Sequence, residues 1–298
     1  MADANMQMQW SDDQWNRVRQ VVYEEARRAR VAGNFLPLFG PLDADATYAK
    51  KQVLNEPGAD SGLSVDDSES LKLATLQVRV RLRGSQVADP ELSSALIAFR
   101  RAANLLARLE DTIVFGGQNA KQEPRWNNAP DDAPGQVLGG QESPGLWQAA
   151  KGHDGKSVIG VGRSPNKGPH QNGNELVGAV SQAIGQLEAN YHLGPFACVF
   201  GQDFFRTAQT PPDSSLVLPQ DRILPFLGGG PLLRSSVLKP ASGMVIALGG
   251  APIDLVVDTD ISVNFLQVTT DPWFVFRVYE KIVLRINQPK AVMALKPM

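Results

Sequence analysis

Glu110 and Asp111 stand side by side and are the first candidates for general acid and base chemistry. Adjacent helical positions point about 100° apart, so the two do not converge on one substrate. Ion pairing with Arg100, Arg101, Arg108 or a neighbouring subunit is the expected role. The three histidines, His153, His170 and His192, have no second His, Cys or paired acid at metal-ligand spacing, and no metal is expected. Gly228-Gly229-Gly230-Pro231 lacks the Lys and Ser/Thr of a phosphate-binding loop and reads as a turn. Ser214-Ser215 and Ser235-Ser236 lack the strand-turn-helix setting of a serine nucleophile. Cys198 lies in the apolar run 196–200 and reads as a small buried hydrophobe. No catalytic constellation emerges. The expectation is a structural, scaffolding or binding protein, not an enzyme.

Composition narrows the class further. Lys plus Arg number 29 against 31 Asp plus Glu, giving a formal charge of -2, too small a field to gather nucleic acid. Residues 1–10 show no basic cluster followed by an apolar stretch, and no window has eighteen uninterrupted apolar residues, so neither a signal peptide nor a membrane span is expected. A single cysteine cannot form an intramolecular disulfide, which favours the cytoplasm.

The elements that must position these residues are legible in order. Ser11 and Gln14 form a capping box ahead of Trp15, Val18, Val22 and Ala26, predicting an amphipathic helix that ends near Gly33. Residues 39–70 carry Gly40-Pro41, Pro57-Gly58 and an acidic run, and read as a long extended excursion, which a second copy could order. Leu76, Val78, Val80 and Leu82 alternate with polar residues and predict a strand. Asp89-Pro90-Glu91 then predicts the start of a helix that runs through Leu109 and Ile113 to Gly116-Gly117, about 37 Å long. Loops fill 117–173 around a short strand at 157–161. A helix follows at 175–190, then a buried strand at 195–200 and loop chemistry at 210–215. Short strands are expected around Val245, Leu255 and Val263, with a hairpin turn at Gly249-Gly250 and alternating segments at 274–279 and 282–286.

Four segments in this order resemble the encapsulins, the linocin-like bacterial shell proteins with the Hong Kong 97 phage capsid fold. They are the N-terminal helix leading into Phe39-Gly40-Pro41, the stretch Leu109 to Gly117, the strand Gly194-Pro195-Phe196 to Phe200, and the C-terminal pair Trp273 to Val278 and Ile286 to Val292. The resemblance implies an α+β tailed-phage major capsid fold. It is divided into 1–42 (N-terminal helix and start of a peripheral domain), 43–73 (extended loop), 74–117 (peripheral domain with a spine helix), 118–271 (axial domain with a long inserted loop) and 272–298 (C-terminal strands of the peripheral domain). It implies a shell of sixty copies or a multiple, enclosing a cargo enzyme with a short targeting tail, a peroxidase or ferritin-like protein by analogy.

The family's five-fold pore would be lined by Pro212, Asp213, Ser214 and Ser215. Its cargo groove, beside the N-terminal helix and the peripheral domain, would use Val31, Phe35, Leu38, Ile286 and Val292. The tryptophan through which some members bind flavin has no counterpart at 83–90, so no cofactor is expected. The alternative is the DNA-packaging capsid protein of a tailed phage or prophage. A lytic or proteolytic enzyme stands further off, for want of a nucleophile.

Overall fold

The computed structural model describes residues 10–43, 46–55, 62–118, 135–141, 143–152, 157–162, 172–212 and 216–298. Helix α1, Asp12–Ala29, opens on the expected capping box: Ser11 Oγ accepts from the Gln14 amide at 3.3 Å and the Gln14 side chain accepts from the Ser11 amide at 3.0 Å. Its buried stripe is Val18, Val22 and Ala26. The helix stops before Gly33 because Arg30 turns extended and the next two amides, of Val31 and Ala32, donate instead to the Asp111 carboxylate.

The spine helix is α3, Ser93–Gly116, preceded by the short α2, Gly84–Val87. It begins three residues later than Pro90 suggests. Asp89 accepts from the amides of Glu91 and Ser93, and Leu92 adopts a left-handed conformation (φ 52°) before the helix proper starts. Gly117, at φ 88°, ends it where a side chain would be strained.

Two five-stranded sheets carry the rest. The first has the order β1 (Leu38–Phe39), β12 (Ile253–Val268), β13 (Trp273–Ile286), β6 (Ala74–Arg83), β7 (Gly135–Gly139). The second has the order β10 (Leu232–Arg234), β9 (Phe196–Phe200), β11 (Gly243–Ala247), β14 (Val292–Pro297), β8 (Val158–Val161). The extended loop is more regular than its composition suggests. It forms two small ribbons, β2 (Tyr48–Lys50) with β5 (Ser70–Lys72) and β3 (Val53–Asn55) with β4 (Ser64–Asp66). Around the second sheet lie α4 (Leu146–Gly152), α5 (Gly173–Ala189), α6 (Gln202–Ala208) and α7 (Pro219–Ile223).

Several expectations about connectivity are corrected. Leu255 and Val263 belong to one sixteen-residue strand, and the two C-terminal alternating segments to one fourteen-residue strand. Residues 249–250 do not close a hairpin, because β11 and β12 lie in different sheets. The segment 118–271 gives β7 and β12 to the peripheral sheet, and β14 leaves the C-terminal segment for the other sheet. Strand alternation fixes which face is buried but not which sheet a strand joins.

The peripheral core is aromatic at one end. Trp10 stacks on Phe276 with centroids 5.0 Å apart, and Phe99 meets the same ring edge-on at 5.4 Å. The Trp10 indole N–H is satisfied by the Val87 carbonyl at 2.9 Å. Cys198 is buried, as expected, and burial pushes its thiol far above the usual range.

Candidate functional site

Three features of the peripheral domain are built with chemistry that its packing does not require. The first is a joint at the C-terminal end of α1. Asp111, buried on α3, accepts from Ala32 at 2.8 Å and from Val31 at 3.0 Å. Glu110 and Glu280 are buried beside it, with the Gly33 backbone against the Glu110 carboxyl. Among the described residues the cation paired there is Arg30, 3.9 Å from Glu110 and 3.6 Å from the half-exposed Asp260. Burial raises Glu110 to about 7, against the pull of Arg30. Burial, reinforced by Glu110, raises both Asp111 and Glu280. With this excess of acid over base, burial disfavours the charged form of all three carboxyl groups. The expected partners of the acid pair, Arg100, Arg101 and Arg108, are replaced by Arg30 and two backbone amides, because α1 rather than the spine's own surface covers these positions.

The second feature is the base of the extended loop. Arg285 and Asp254, both buried, form a two-pronged pair at 2.9 and 2.7 Å. The same guanidinium donates to the Lys50 carbonyl at 3.0 Å and lies over the Phe39 ring at 4.4 Å. Lys281 pairs with Asp258 at 3.2 Å and donates to the Ala46 carbonyl. Two cations of β13 thus grip the loop by its backbone.

The third feature is a groove of roughly 460 Å³ between α1 and the edge of the peripheral sheet. Arg19, Gln20 and Tyr23 form one wall, and Ile261, Ser262, Val263, Asn264 and Tyr279 the other. The Asn264 amide donates to the Tyr279 hydroxyl at 3.2 Å, fixing that rim.

The residues expected to dock cargo do not share one surface. Phe35 is buried and stacks on Phe115 at 6.4 Å, while Val31 is half-buried at the joint. Leu38 is exposed in the edge strand β1. Ile286 is buried at the floor of a separate groove beneath the extended loop, with Leu71 and Leu284, and Val292 is fully buried in the other sheet. The five residues thus lie in separate places, and the groove beside α1 is lined by other residues. Of the expected pore residues, Pro212 is buried in its own subunit, and Asp213, Ser214 and Ser215 lie outside the described residues, as do His153 and His170.

Sequence reading missed Glu280, which had a visible signal: a charge at the inward register of Phe276, Val278 and Ile282. Arg30 and Asp260 carried none. Among the described residues, no cluster of His, Cys, Asp and Glu could hold a metal, and no helix is long and apolar enough to cross a membrane.

A spine helix on a twisted sheet, a gripped extended loop and a second, axial sheet define a protein of the tailed-phage capsid class. The chain superposes on a virus-like particle from Pyrococcus furiosus with a TM-score of 0.62, at 15% identity, over 95% of this chain and 99% of that one. It superposes on the capsid of Myoviridae phage XM1 with a TM-score of 0.56, at 14% identity, over 88% and 90%. A family model described as the encapsulating protein for peroxidase matches residues 5–124 and 151–283. The chain belongs to that family, the encapsulin shell proteins. It is 25% identical over 303 aligned positions to the type 1 encapsulin shell protein of Myxococcus xanthus, covering 96% of this chain and 93% of the relative.

Proposed function

We propose that this chain is the subunit of a closed icosahedral protein compartment, built from sixty copies or a multiple, that holds a cargo enzyme in the cytoplasm and has no catalytic activity of its own. The observation that carries the reading is the extended loop. Its ribbon presents Leu63 and Val65 at 76% and 59% exposure, with a backbone edge that its own chain does not cover among the described residues. An apolar, open-edged ribbon held rigidly at its base is suited to lie on a neighbouring copy. Asp213, Ser214 and Ser215 are assigned to the five-fold pore by family resemblance. The groove beside α1 is assigned to the cargo's targeting tail by family resemblance, which puts the tail beside the N-terminal helix; its lining mixes Ile261 and Val263 with Arg19, Gln20, Ser262, Asn264 and two tyrosines. A peroxidase is the favoured cargo, from the family's description.

Negative-stain electron microscopy of the protein expressed alone is expected to show uniform closed shells. The variant Val65→Asp is expected to give folded but unassembled subunits. A small species at every concentration and salt condition for the unmodified chain would sink the reading. Shells filled with DNA in the native host would move it to a phage capsid.

A further inference from the structure

We propose that the groove beside α1 takes its peptide by strand addition: an extended stretch of the cargo tail pairs, backbone to backbone, with the open edge of β12. The inference rests on the assignment of that groove to the tail and says how the tail is read.

The sheet supplies the first observation. β1 covers β12 only at Leu255 and Val256, and β12 continues to Val268. Among the described residues no strand pairs with its outer edge from Val257 onward. An open edge of this length is a template for another extended chain.

The lining of the groove supplies the second. It touches four consecutive residues, Ile261 to Asn264. Successive side chains of a strand point to opposite faces: Ile261 and Val263 are buried on the core side, whereas Ser262 and Asn264 stand beside Tyr279 and Arg277 on the other. A cavity that meets all four lies against the strand's rim, where the backbone N–H and C=O groups point.

The register of the strand limits the length of the tail segment. Shifts between Thr259 and Ser262 and between Phe265 and Gln267 bracket the regular stretch Ser262 to Phe265. Just ahead of it, β12 satisfies its own backbone with local side chains. Asp260 Oδ1 accepts from the Ile261 amide at 2.8 Å, and Ser262 Oγ donates to the Asp260 carbonyl at 2.8 Å. A regular edge this short, closed at one end and walled by α1, fits a short extended segment free of proline in its paired stretch. Its side chains would alternate, apolar toward the core side and polar toward Asn264 and Tyr279.

The test uses whole shells. The enzyme that co-purifies with native shells is identified by mass spectrometry, and its C-terminal tail is synthesised in three forms: unmodified, and N-methylated at alternate backbone nitrogens in each of the two registers. Each labelled peptide is added while shells are opened and reassembled, and retention is measured. Strand addition predicts that one methylated register binds at least about tenfold more weakly while the other binds nearly as the unmodified peptide does. Equal binding of all three would overturn strand addition and leave the docking assignment standing. Failure of the unmodified peptide to bind would overturn both. Ser262→Trp, which fills the groove, is expected to abolish retention in shells that still assemble. Retention unchanged in that variant would place docking elsewhere and overturn the proposal.

Discussion

The extended loop is tied to β13 and the end of the N-terminal helix to α3, by opposite means. At the loop base the cations have carboxylate partners: Arg285 is held in two prongs by Asp254, and its remaining donor reaches a loop carbonyl. At the helix joint, Glu110, Asp111 and Glu280 share one arginine, and two amides of the chain after α1 take the place of counter-ions. The first arrangement matches each buried charge with an opposite one. The second raises its carboxyl groups through burial, so its stability depends on pH. β13 carries both ends of the contrast, Arg285 in the matched pair and Glu280 beside the acids of α3.

The largest expected effect tests the matched pair. Arg285→Ala removes one partner of a buried pair and leaves Asp254 charged and uncompensated, which costs about 3–5 kcal/mol. Chemical denaturation of the subunit reads this directly, and hydrogen exchange should rise at Lys50 to Asn55. A cost below about 1 kcal/mol would mean that the pair behaves like a surface ion pair and would erase the contrast.

The next effect tests the buried acids at the helix joint. The folded-state value of Glu110, about 7, lies above its ordinary value of 4.5, so the folded state holds this proton more tightly than the unfolded chain does. This group's contribution to stability is fully present below about 4.5 and is lost as pH rises through about 7, a change on the order of a few kcal/mol. Glu110→Gln is expected to flatten the fall in melting temperature across this window while leaving the loop's exchange unchanged. An unaltered slope in the variant would remove Glu110 from the account.

The smallest effect sets the scale. Lys50 and Asp67 are paired at 3.2 Å with side chains 70% and 60% exposed. Lys50→Ala should change stability by no more than about 0.5 kcal/mol, as exposed pairs generally do. A larger change would show that ion pairs on the ribbon itself, as well as those at its base, hold the loop.

Local signals in the sequence were read correctly because their physics is local. Ser11 and Gln14 are three residues apart, and the alternation of Leu76 to Leu82 needs only one wet face. The distant partnerships were not legible. Asp111 meets amides about 80 residues upstream, and Glu110 meets an arginine at the same remove. Nothing in the composition of either segment announces the other. The groove beside α1 was the hardest to see, since it is defined partly by where β1 stops covering β12, which is a matter of register between strands more than 200 residues apart. The apolar residues singled out near α1, Val31 and Phe35, pack at the joint and in the core.

The placement of the last two strands bears on synthesis. A chain translated only as far as residue 270 lacks β13, which lies between β12 and β6, and β14, which lies between β11 and β8. Neither sheet can close around such a gap, and the loop has no Lys281 or Arg285 to hold it. A ribosome stalled short of these strands therefore carries a subunit with no rigid ribbon to offer a neighbour. The order of synthesis thus leaves the ribbon's anchorage to residues 271–298 of the sequence.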